Sequence, residues 1–181
     1  MSEDHAQHVA QVGRQAPMFE AEGVDGKGNF KCYNLSDNQG KWTVLFFYPL
    51  DFTFVCPTEI TGFSKRYDEF EKLNTVVLGC STDSVHSHKA WLKDLGELRY
   101  PLLSDMTHEI SRDYGVLVPE KGVSLRGTFI IDPEGILRFA LYHDMGVGRS
   151  VGEVLRVLNA LQTGELCPIE WQPGEKTLGE G

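Results

Sequence analysis

No stretch of this chain reaches the run of about 18 apolar residues that a membrane-spanning helix needs. A membrane-embedded protein is therefore not expected. Positive charge is also scarce. Lys and Arg number 17 against 26 Asp and Glu, leaving a net charge of -9. That balance repels phosphates and argues against nucleic acid and anionic membrane surfaces as partners. The first residues, "MSEDHAQHVAQVGRQAP", are polar and acidic and lack the apolar core of a signal peptide, so a cytoplasmic location is expected. Cysteine is sparse too: Cys32, Cys56, Cys80 and Cys167, with no C-x-x-C pair. This excludes a zinc ribbon, and a disulfide-stapled scaffold does not suit a cytosolic chain of this size. In "VHSHKAW", His86 and His88 stand two apart, which on a helix points them to different faces, so they do not read as a metal pair. The thiols are left with core filling or redox chemistry.

What is present suits one domain with a substantial core: 181 residues, 41% of them apolar. "WTVLFFY" (Trp42–Tyr48) and "TVVLGCST" (Thr75–Thr82) read as strands buried on both faces. Between them Ile60, Phe63, Tyr67 and Phe70 recur at helical spacing. This predicts a βαβ unit with parallel strands and a right-handed crossover. Further helices are expected near Ser84–Leu95 and Thr107–Tyr114. "GTFIID" and "ILRFALYH", joined by Pro133–Gly135, read as a hairpin, and "NFKCYNLSD" as a short early strand. "SVGEVLRVLNALQTG" is the clearest helix, with a capping box from Ser150 and Glu153 and Gly164 to end it. The class is α/β with a mixed central sheet flanked by helices. Residues 1–164 form the domain; 165–181 form a tail rich in Pro, Gly and Glu.

Cys56 sits where the strand pattern ends and a helix pattern starts, in "YPLDFTFVCPTEI". Pro57 suits the first helical position, whose N–H needs no partner. The sulfur would then face the free N–H groups and positive dipole end of the first turn, and both favour thiolate over thiol. The plain alternative is a small buried hydrophobe, the usual fate of a lone cysteine. Strand end, proline and helix start coinciding favour the reactive reading.

The segment "PLDFTFVCPTE" carries the pattern P-x-x-x-T-x-x-C and resembles the peroxiredoxins, over about Val12 to Leu178. With "ELCPIEW", the chain resembles a typical 2-Cys peroxiredoxin of the alkyl hydroperoxide reductase C type. The resemblance implies a thioredoxin-like fold with peroxiredoxin-type extensions. It implies that Cys56 is the peroxidatic cysteine, Thr53 the active-site threonine, Pro49 the shielding proline and Arg126 of "SLRGTFIID" the active-site arginine. Glu59 and Arg149 match a supporting polar pair, and Cys167 the resolving cysteine acting across a homodimer interface. No metal or organic cofactor is implied. The expected partners are a hydroperoxide, and thioredoxin or a flavoprotein disulfide reductase as reductant. A decameric ring of dimers is plausible on the same resemblance. Read by itself, Arg126 would pass for a surface ion-pair partner.

Cys80, inside an apolar strand pattern, is expected to be inert core, and Cys32, beside aromatics, structural as well. Two other functions compete. A dithiol–disulfide oxidoreductase needs a partner at the third residue after Cys56, where Glu59 stands instead. A non-enzymatic holdase ring would consume no peroxide. Peroxide-sensitive relatives carry a G-G-L-G loop and an extra C-terminal helix with Tyr-Phe. "KDLGELRYPLLSD" and "WQPGEKTLGEG" lack both, so resistance to over-oxidation is expected.

Overall fold

The computed structural model describes residues 9–181; the polar stretch 1–8 lies outside the described residues. Strands β1 (Glu20–Val24), β2 (Phe30–Asn34), β3 (Trp42–Phe47), β4 (Thr75–Ser81), β5 (Leu102–Ser104), β8 (Arg126–Ile131) and β9 (Leu137–His143) form one sheet in the order β2-β1-β5-β4-β3-β8-β9. Two short strands, β6 (Leu117–Val118) and β7 (Val123–Ser124), pair apart from it. The helices are α1 (Cys56–Lys65), α2 (Tyr67–Lys72), α3 (Val85–Leu95), α4 (Glu109–Asp113) and α5 (Val151–Thr163). β3, β4 and β5 run parallel, and the other pairings in the sheet are antiparallel. The sheet is mixed, as the sequence predicts. β1, β6 and β7 are too short or too polar to announce themselves by alternation.

Alternation along β3 divides the core. Val44 and Phe46 face one layer, with Ile60, Phe63, Phe70, Trp91, Leu155 and Leu158 from the helices. Leu45 and Phe47 face the other, with Leu78, Cys80, Leu103, Tyr114 and Phe129. Cys56 belongs to the first layer and Cys80 to the second, so the sheet itself separates the two sulfurs.

Three local expectations change. The helix anticipated from Ile60 to Phe70 is two helices, broken at Arg66 (φ -105°, ψ 15°), whose guanidinium pairs with Glu69. The apolar face survives the break, which is why spacing does not reveal it. Ser150 accepts the Glu153 N–H, but the Glu153 carboxylate turns to Arg156 at 2.6 Å, so the capping box is half made. Cys32 is exposed on the edge strand β2 and is not core. The tail after Gly164 forms no helix or strand; it closes on itself through the Leu166 N–H to Gly179 and the Leu178 N–H to Leu166, with Trp171 buried.

Phe63 stacks on Phe46 with ring centroids 4.4 Å apart, joining α1 to the sheet. Phe63→Ala is expected to cost about 3–5 kcal/mol of stability by urea unfolding. A loss within about 0.5 kcal/mol, the usual effect of a surface change, would contradict this packing.

Candidate active site

The site lies at the carboxyl end of β3. β8 runs antiparallel to β3, with Thr128 opposite Phe46, so the first residue of β8, Arg126, arrives where β3 ends. The chain leaves β3 through Tyr48 and buried Pro49, loops through Thr53, and enters α1 at Cys56. Cys56 is the first residue of α1 and Pro57 the second, one place later than the sequence suggests. The proline still occupies a first-turn position whose N–H has no intrahelical partner.

Cys56 is fully buried, and Arg126 Nη1 lies 3.4 Å from its Sγ. Arg126 is itself 3% exposed, so it is no surface ion-pair partner. Its Nη1 also donates to Glu59 Oε2 at 2.6 Å, and its Nε to the Met145 carbonyl at 2.8 Å. Glu59, one turn along α1 from Cys56, holds a second cation. Arg149 donates to it from its backbone N–H and its Nε, both at 2.9 Å to Oε1. The remaining Arg149 donors reach the carbonyls of Phe47 (2.6 Å) and Gly127 (2.7 Å), tying the ends of β3 and β8 to α1. Burial works to raise the Glu59 pKa, but the hydrogen bonds and charge of Arg149, with the charge of Arg126, outweigh it and hold the carboxyl below its ordinary value.

The sequence-expected residues therefore fall in three places. Cys56, Arg126, Glu59 and Arg149 form one hydrogen-bonded cluster. Thr53 and Pro49 lie on the loop entering α1, where the Thr53 hydroxyl donates to the Leu50 carbonyl at 3.0 Å. Cys167 stands apart, half-buried after α5, with Sγ 3.6 Å from Thr163 Oγ1 and 3.9 Å from the Ala160 carbonyl. All four cysteines are free thiols. Cys80 is enclosed, and burial pushes its thiol well above the ordinary range.

One buried polar set escapes the sequence reading: Tyr48, Asp51, Ser87 and His88, bonded together beside the loop. A signal exists. His88 falls in the apolar stripe of Val85, Trp91, Leu92 and Leu95, where a polar residue is out of place.

A sulfur at a helix start beside a captive guanidinium is built to attack a bond whose departing atom takes up negative charge, as the O–O bond of a hydroperoxide does. Comparison with known proteins agrees with that class. Residues 12–140 match the model of the AhpC/TSA family. A putative peroxiredoxin of Bacillus subtilis, YkuU, is 57% identical, over 92% of this chain and 97% of its own. The chloroplastic 2-Cys peroxiredoxin BAS1 of Hordeum vulgare is 53% identical, over 92% of this chain and 84% of its own. The reduced 2-Cys peroxiredoxin of Plasmodium vivax superposes with a TM-score of 0.89 at 44% identity, covering 91% of both chains. The AhpC of Enterococcus faecalis does so at 0.83 and 34% identity, covering 88% of this chain and 100% of its own. The chain belongs to the AhpC/TSA family of peroxiredoxins. It is a thiol-dependent peroxidase on a thioredoxin-like fold.

Because its folded pKa is lowered, Glu59 stabilises the fold fully above its ordinary value of 4.5, and that contribution is lost as pH falls through the lowered value. Glu59→Gln strips both guanidinium groups of their counter-charge and is expected to cost about 3–5 kcal/mol at neutral pH. The gap between variant and wild type should narrow in urea unfolding below pH 4.5. A gap that is constant with pH would contradict this account of the carboxylate.

Proposed function

We propose that Cys56 is the attacking sulfur and Cys167 the resolving one, in a peroxidase that cycles through an intersubunit disulfide. The observation that carries the assignment is the buried Arg126 guanidinium 3.4 Å from Cys56 Sγ. The Cys56 thiolate displaces one oxygen of R–O–O–H along the O–O axis. Sulfur becomes sulfenic acid, and RO⁻ leaves, taking a proton to give water or an alcohol. Arg126 opposes the negative charge that passes from sulfur to the departing oxygen. The Thr53 hydroxyl spends its proton on Leu50, which leaves its oxygen free to accept the O–H of the hydroperoxide. Pro49, buried at the strand end, limits water at the sulfur.

In the second step the Cys167 thiol of a partner subunit condenses with the sulfenic acid, forming S–S and releasing water. The separate surroundings of Cys167 and Cys56 support a rearrangement: the first turn of α1 unwinds and the tail, residues 165–181, opens. A dithiol protein, thioredoxin or a flavoprotein reductase, then takes up the disulfide by thiol exchange. A homodimer is supported by β9, an apolar strand at the edge of the sheet and so available to a second copy. Assembly of dimers into a decameric ring is supported by Leu50, Phe52, Phe54 and Val147, large apolar side chains exposed around the active-site loop.

Cys56→Ser is expected to abolish peroxide consumption, while Cys80→Ser, which alters the opposite layer of the core, retains most of it. Equal loss in both sinks the assignment. Under mild peroxide the wild type is expected to run as a covalent dimer on a non-reducing gel. Cys167→Ser should lose that band and keep one fast oxidation of Cys56. A band persisting in that variant would implicate the exposed Cys32.

A further inference from the structure

The loop between Pro49 and Cys56 is pinned at its centre. Asp51 is 6% exposed, and its backbone N–H donates to Asp83 Oδ2 at 2.9 Å. Three side chains converge on its carboxylate. The Tyr48 hydroxyl donates to Oδ1 at 2.8 Å; the Ser87 hydroxyl and His88 Nδ1 lie 2.8 Å from Oδ2. His88 is fully buried on α3, and its Nε2 faces the Leu103 carbonyl of β5 at 3.0 Å. A carbonyl oxygen only accepts, so Nε2 carries a hydrogen. Strand, helix and loop are joined through this single carboxylate.

The next residue bears the consequence. Phe52 holds φ at 56°, a left-handed conformation that a bulky side chain keeps only when its surroundings impose it. Its ring packs 5.9 Å from Trp91, on the same helix as His88. α3 thus grips two consecutive residues of the loop, and Thr53 follows immediately. The contacts of Asp51 and His88 are to Tyr48, Asp83, Ser87 and Leu103, not to Cys56 or Arg126. Whatever they do for the reaction passes through the loop.

We propose that Asp51 and His88 are positioning residues for peroxide reduction, holding Pro49 and Thr53 in the geometry that attack on the O–O bond requires. The proposal rests on Cys56 being the attacking sulfur. Displacing a reacting partner by about 1 Å costs about 100-fold in rate. Attack on a hydroperoxide needs the O–O bond aligned and Thr53 in place. Alkylation by iodoacetamide needs the sulfur accessible and ionised, but no alignment of an O–O bond and no Thr53. The two reactions therefore separate positioning from general damage to the fold.

The test uses the reduced full-length oligomer. Cys56 oxidation by hydrogen peroxide and alkylation by iodoacetamide are each followed by rapid quench and peptide mass analysis. His88→Gln and Asp51→Asn are each expected to slow oxidation about tenfold or more, with alkylation within about threefold of wild type. The double variant should be no slower than the slower single, because both changes release one brace. Tyr48→Phe and Ser87→Ala, which each remove one donor, give a milder second series should the first fail to fold. They should slow oxidation severalfold with alkylation unmoved. Oxidation and alkylation shifting together, single losses that multiply, or an unaltered oxidation rate would each overturn the proposal. A wild type whose first oxidised sulfur is not Cys56 overturns instead the assignment beneath it.

Discussion

Everything at this site depends on two guanidinium groups kept inside the protein by one carboxylate. Arg126 and Arg149 are both buried, and Glu59 bonds to each. Two cations and one anion leave a net positive charge beside Cys56. Burying unpaired charge is costly, so the Glu59 carboxylate is what makes the pair of buried cations tolerable. In the proposed attack, charge moves from sulfur to the departing oxygen beside an Arg126 that is already desolvated and fixed, so no reorganisation is required.

The fold makes that cluster possible by bringing together residues distant in sequence. β8 enters the sheet antiparallel to β3, which puts Arg126 beside the start of α1. The turn after β9 then returns Arg149 to the same place, where it caps the carbonyls of Phe47 and Gly127. Arg149 ties strand ends to helix and Arg126 faces the sulfur. Tyr100 adds a hydroxyl bond to the Ile60 carbonyl at 2.8 Å, a further hold on α1. A helix start held so firmly suits chemistry in a closed pocket, yet the proposed pairing of Cys56 with Cys167 requires it to yield. On that proposal the two demands oppose each other.

Much of this was legible in the sequence. The continuous apolar runs of β3 and β4 and the stripe of α5 identify the core, because full burial leaves no room for other residue types. Cys56 was readable because a strand end, a proline and a helix start coincide there. Arg126 was readable only through family resemblance, since nothing in its local sequence separates a buried arginine from an exposed one. The break at Arg66 was hidden because the apolar face continues across it. The carboxylate brace at Asp51 was hidden for a different reason: its partners come from Tyr48, just after β3, and from Ser87 and His88 on α3, and only tertiary packing assembles them.

If a guanidinium of fixed geometry beside Cys56 drives the reaction, the oxidation of Cys56 should be slow in Arg126→Lys. Lysine keeps a positive charge but not the planar fork, whose Nε is held on the Met145 carbonyl while its Nη1 meets Glu59 and the sulfur. Stopped-flow oxidation by hydrogen peroxide is expected to slow by about 100-fold or more in the variant. A rate equal to that of the wild type would contradict the account.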